Sequence, residues 1–136
     1  MGAPRVGAPG VPQVALAVSR VLALVPDLLF GSKVKAMLEG AGHEVELAQS
    51  ETDVWAQIAG SDVLVVDLTT DDVDGALLLD TLRSGGEASG IKALAFYSHV
   101  DVDVRRHAEA AGFDLVVPRS RMAREGAELV ARLSSG

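Results

Sequence analysis

Short aliphatic runs alternate along most of this chain with stretches whose apolar positions recur every three or four residues. The runs Val21 to Val25, His43 to Ala48, Asp62 to Asp67, Ile91 to Phe96 and Leu115 to Val117 predict strands. The densest of them, Asp62-Val63-Leu64-Val65-Val66-Asp67, suits a central strand buried on both faces. Helical spacing fills the intervals. Leu29 to Ala41 places Val34, Met37 and Leu38 on one face, with Gly42 positioned to end the helix. Ser50, with Asp53 three residues later, predicts an N-cap for a helix carrying Val54, Trp55 and Ile58. Val73 to Ser84 turns Leu77, Leu78 and Leu82 inward. Asp101 to Ala111 has an inward side of alanines (Ala108, Ala110, Ala111), and Met122 to Leu133 forms the last helix. Gly42, Gly60 and Gly112 fall at helix-to-strand turns.

Strand and helix in such regular alternation predict an α/β fold, a five-stranded parallel sheet with helices on both faces. The Gly/Ala/Pro-rich stretch from Met1 to Pro12 has almost nothing to bury and reads as a mobile tail or linker. Val14 to Val18 are apolar enough to pack, as an extra strand or as a lead-in to the first one. Residues 1–20 are therefore expected to form a flexible tail and residues 21–136 one domain.

Composition narrows the class. The 136 residues are 49% hydrophobic but only 4% aromatic, so the core is aliphatic, and the length buries it without staples. With no cysteine, a disulfide framework, a thiolate metal site and a cysteine nucleophile are excluded. Twelve basic against 19 acidic residues give a net charge of −7, which argues against binding nucleic acid or an anionic membrane. Arg119, Arg121 and Arg124 are a local exception. Val14 to Val25 is broken by Arg20 and followed by Pro26-Asp27, with no cleavage signal, so it reads neither as a leader peptide nor as a membrane span. A cytoplasmic protein is expected.

Asp67 is the first residue to examine for chemistry. It ends the most buried strand, at the edge where open α/β sheets form their crevice, and the loop after it runs to Asp74-Gly75 and a helix. A carboxylate there could equally cap the loop or helix that follows. The loop after the first strand, Pro26-Asp27-Leu28-Leu29-Phe30-Gly31-Ser32, has one glycine and a carboxylate, which disfavours a nucleotide or flavin phosphate. No Ser/His/Asp arrangement of useful spacing occurs, so an enzyme is not expected.

Over Val21 to Leu133 the chain resembles the receiver domain of two-component response regulators. Asp62 to Gly75 resembles the family's phosphoacceptor strand and its Asp-Gly loop. Gly42-His43-Glu44-Val45 is similar to the turn into its second strand, and Ala110-Ala111-Gly112-Phe113-Asp114 to the turn into its fifth. The resemblance implies strand order 2-1-3-4-5, Asp67 as phosphoacceptor, and Mg²⁺ held by Asp27, Asp67 and the backbone at Thr69. It also implies a protein partner, a sensor kinase or a downstream effector.

Three positions depart from the family's pattern. Val25 and Pro26 stand where two adjacent acids are usual, leaving Asp27 one place late, so Mg²⁺ is expected to bind weakly. Tyr97 replaces the Thr or Ser after strand four, where it could fill the pocket or hydrogen-bond Asp67. Ser98 follows it, close enough to hold a phosphoryl oxygen in a slipped register, and His99 is expected in solvent. Val117-Pro118-Arg119-Ser120 puts Arg119 in place of the closing Lys, available to pair with Asp67. The expected function is a receiver-like signalling module acting through protein interaction, with an altered or phosphorylation-independent switch. An ordinary phosphorylatable receiver is the alternative, and a small ligand-binding or enzymatic flavodoxin-like domain a second. The interaction face, also a route to a homodimer, is expected on helix four, strand five and helix five, through Arg121 and Arg124. No DNA-binding domain is expected after helix five.

Overall fold

Five strands alternate strictly with five helices among residues 19–135, the part of the chain that this computed structural model describes. In order they are β1 (Arg20–Leu24), α1 (Leu28–Gly40), β2 (Glu44–Ala48), α2 (Glu51–Gln57), β3 (Val63–Asp67), α3 (Gly75–Ser84), β4 (Lys92–Tyr97), α4 (Val102–Ala111), β5 (Leu115–Pro118) and α5 (Arg119–Ser135). The expectations for Met1 to Pro12 and Val14 to Val18 lie outside the described residues.

All strand pairs are parallel, in the order β2-β1-β3-β4-β5. This is the expected 2-1-3-4-5 sheet. Every residue of β3 is buried, as its unbroken aliphatic run requires. Alternate residues of the strands feed two separate cores. Val21, Ala23, Val63, Val65, Leu94 and Phe96 meet Phe30 and Leu38 of α1 and Met122 and Leu129 of α5. Leu22, Leu24, Leu64 and Val66 meet Val54 of α2 and Leu78, Leu79 and Leu82 of α3 on the opposite face. Each fully buried leucine or valine contributes about 1.5–3 kcal/mol, so the sheet must be covered on both sides.

Helix phases depart from the sequence reading in three places. Helix α3 begins at Gly75 rather than Val73, and Leu77, expected inward, is 60% exposed, while Leu79 takes its place beside Leu78 and Leu82. Gly75 sets that phase: a Cβ there would collide with the side chain of Leu68 and come within 2.8 Å of Val66 Cγ1, so only glycine lets the first turn approach β3 this closely. In α4 only Ala108 is buried; Ala110 faces solvent and Ala111 is half-buried. Helix α5 starts three residues before Met122, directly after Pro118, whose fixed φ and missing N–H end β5. Of the apolar residues expected on α2, Val54 is buried, Ile58 is its C-cap, and Trp55 is 40% exposed. Gly112 does close α4 as expected, in the left-handed conformation at φ 106°.

Candidate functional site

The carboxyl ends of β1, β3, β4 and β5 build the candidate site. Asp67 closes β3 and is 2% exposed, because the ladder continues past it through Leu68 N–H donating to the Phe96 carbonyl at 2.9 Å. Its Oδ1 accepts two hydrogen bonds from one neighbour: Thr69 donates its backbone N–H at 2.7 Å and its hydroxyl at 2.6 Å. Such a turn is the local alternative a short carboxylate offers an irregular backbone. Further along the loop, Thr70 Oγ1 accepts from Asp72 N–H at 3.1 Å, and Asp74 caps α3 by accepting from Leu77 N–H at 3.1 Å. Side chains therefore order the whole run from Asp67 to Gly75.

Asp27 leads into α1 as its N-cap. Its Oδ1 accepts the Leu29 and Phe30 N–H groups at 3.0 and 3.2 Å. The Phe30 N–H, together with the Leu29 N–H and the Arg119 charge, holds the Asp27 carboxyl below its ordinary value against an opposing desolvation. Arg119 reaches Asp27 Oδ2 at 3.5 Å and lays its guanidinium 4.1 Å from the Phe30 ring centre. Phe30 in turn packs on Phe96, centroids 5.2 Å apart. Arg119 thus joins α5 to α1 through Asp27 and Phe30, where pairing with Asp67 was anticipated.

Tyr97 ends β4 and is buried, 5% exposed. Nearby on α4, Arg105 pairs with Glu109 at 3.3 Å, and its pKa is raised mainly by Glu109 with a smaller contribution from Tyr97. Among the described residues Tyr97 makes no hydrogen bond to Asp67; it fills space at the strand end. Ser98 and His99 are exposed, as read from the sequence for His99. Together with Thr69, Pro118, Arg119 and Ser120 they line a polar cleft of about 390 Å³, which Asp67 does not line. The structure therefore brings Thr69, Ser98 and Arg119 together in one cleft, and Asp67 is tied to that cleft only through Thr69. Among the described residues no three His, Asp or Glu side chains group as they would around a metal ion.

On α5, Arg121 and Arg124 both reach Glu125, at 3.3 and 3.4 Å. Two partners escaped the sequence reading. Phe30 carries no signal beyond being one of three phenylalanines. Arg83 ties the end of α3 to the Gly112 carbonyl at 2.6 Å, the Ile91 carbonyl at 3.2 Å and Asp114 at 3.4 Å. No helix among the described residues is long and apolar enough to cross a membrane.

No family model and no curated protein matches the sequence. Solved structures do match in fold. The receiver domain protein (CheY-like) of Methanospirillum hungatei is 21% identical, with 87% of this chain and 94% of that one covered at a TM-score of 0.74. The chemotaxis response regulator CheY4 of Vibrio cholerae is 19% identical over 85% of this chain and 98% of that one, again at 0.74. A response regulator receiver domain from Clostridium thermocellum is 17% identical over 87% and 95%, at 0.75. Identities this low speak to architecture, and the architecture is unambiguous: from β1 to α5 the chain has the fold of response regulator receiver domains.

Proposed function

We propose that the chain is a non-catalytic, cytoplasmic receiver-like signalling module that acts by binding a protein partner and does not depend on lasting phosphorylation of Asp67. One observation carries this reading: the side chains that would run a phosphoryl switch already have local partners, in two separate sets. Thr69 occupies Asp67 Oδ1 twice, and Asp27 and Arg119 are held by the α1 N-terminus, by Phe30 and by each other. An incoming phosphoryl group would meet a carboxylate that is 2% exposed and already engaged at Oδ1. Mg²⁺ demands a near-octahedral set of oxygens, and Asp27 with Asp67, so committed, offers a poor one. The module accordingly works without a resident cation. The absence of cysteine supports a reducing compartment.

Incubation with acetyl phosphate and Mg²⁺, followed by intact-mass analysis, tests the reading. The expected result is no lasting adduct. A clean phosphate adduct that Asp67→Asn abolishes would restore the ordinary phosphorylatable receiver.

A further inference from the structure

Between α3 and α4 runs a groove that the candidate site does not use. Its upper part, about 440 Å³, has an apolar floor of Leu68, Val73, Ala76, Val104 and Ala108. A second hollow of about 400 Å³ continues it past Leu77, Ala110 and Ala111, and the two share Asp74, Ala76 and His107. The groove exists because α4 buries only Ala108 and offers Val104, Ala110 and Ala111 beside it, so no large side chain closes the space beside α3. Leu77 stands at its edge, 60% exposed, an apolar side chain with nothing covering it.

Charge selects the occupant. Asp71, Asp74, Asp80 and Asp103 rim the groove, and neither hollow is lined by a Lys or Arg. Asp74 spends one oxygen on the α3 cap, but all four carboxylates face solvent. An apolar floor between carboxylates suits an amphipathic helix whose other positions are Lys or Arg. Both flanking helices have ten residues. A partner helix lying along them would use about ten residues over roughly 15 Å, enough for three apolar anchors at helical spacing. We infer that the α3–α4 groove is a docking site for a basic amphipathic helix of a protein partner. The inference names a partner class for the proposed module but rests on the groove alone, whatever the state of Asp67.

The probe is a synthetic helical peptide with leucines at i, i+3 and i+7 and lysines elsewhere, beside an analogue with glutamate for every lysine. Binding to the full chain is followed by fluorescence anisotropy and by amide NMR shifts. The lysine peptide should shift the amides of Leu77, Val104 and Ala108, and the glutamate analogue should not bind. Asp71→Lys with Asp80→Lys should weaken the affinity about tenfold or more. Leu77→Ser, at an exposed position where folding is not at stake, should weaken it as well. Shifts mapping to another face, equal binding of both peptides, or an affinity indifferent to the charge reversal would overturn the inference. So would self-association of the chain that Leu77→Ser disperses, since the groove's occupant would then be a second copy. None of these readouts involves the phosphodonor, so failure here leaves the switch proposal standing, and the reverse holds too.

Discussion

Thr69 satisfies Asp67 from two sides at once, with its N–H at 2.7 Å and its hydroxyl at 2.6 Å on the same Oδ1. Thr69 itself is exposed while Asp67 is buried, so the hydroxyl works as a lid on a carboxylate rather than as a core contact. Thr69→Val removes the hydroxyl donor and leaves the N–H in place. A hydrogen bond to an ionised group is worth about 1.5–3 kcal/mol, and solvent replacing the hydroxyl offsets part of that. Urea unfolding should show a loss of about 1 kcal/mol; unchanged stability would mean the hydroxyl bond does not form in solution.

His43 supplies a pH dependence with a definite sign. It is buried, and its Nδ1 accepts the Ser19 N–H at 3.1 Å, which fixes the neutral imidazole. Burial pushes its pKa below the ordinary 6.5. The unfolded chain therefore takes up the proton first as pH falls, and stability present above 6.5 is lost on descending from there toward the lowered folded value. Thermal melts between pH 7.5 and 5.5 should show this decline in the wild type and a flatter profile in His43→Gln.

Gly75→Ala introduces a Cβ into the space of Leu68 and Val66. The tip of the half-buried Leu68 side chain can swing aside, but Val66 is fully buried in β3 and has no room to retreat. Overpacking of this kind costs about 1–3 kcal/mol. The melting temperature should drop by several degrees, at roughly 4 °C per kcal/mol for a domain of this size. A melting temperature equal to that of the wild type would show that the α3 start is free to move.

Charge reversal at Arg121 and Arg124 separates association from stability. Both side chains share Glu125, and Arg124 is 67% exposed, so the pairs contribute about 0–1 kcal/mol at most. Arg121→Glu with Arg124→Glu should leave the melting temperature nearly unchanged. If the face of α4, β5 and α5 carries a partner or a second copy, association measured at low salt should weaken; binding that survives the reversal would exclude this face.

The alternation of strands and helices was legible in the sequence because each strand's aliphatic run and each helix's spacing point the same way, from Val21 down to the buried β3, while the 2-1-3-4-5 order was implied by the resemblance to receiver domains. Helix phase was less so. Leu77, Leu78 and Leu79 are consecutive, and periodicity alone cannot say which one turns outward; the collision that excludes a Cβ at Gly75 decides it. The site divides in the same way. Asp67 and the Asp74-Gly75 spacing are local and could be read. The Asp27–Arg119 contact spans 92 positions and depends on where α5 begins, which Pro118 fixes and periodicity placed three residues late. Tyr97 was expected just after a strand ending at Phe96, and the structure makes it the last, buried residue of β4.

The hydroxyls of Ser19 and Ser134 touch, joining the entrance of β1 to the last turn of α5. The backbone from residue 19 to 135 is thus almost a closed ring, pinned at the pole opposite Asp67. Where the ring is cut matters little to its strands and helices, so a circular permutant opened at the exposed Gly85-Gly86 turn would carry both of its new ends beside α3 and leave the Asp67 pole unencumbered.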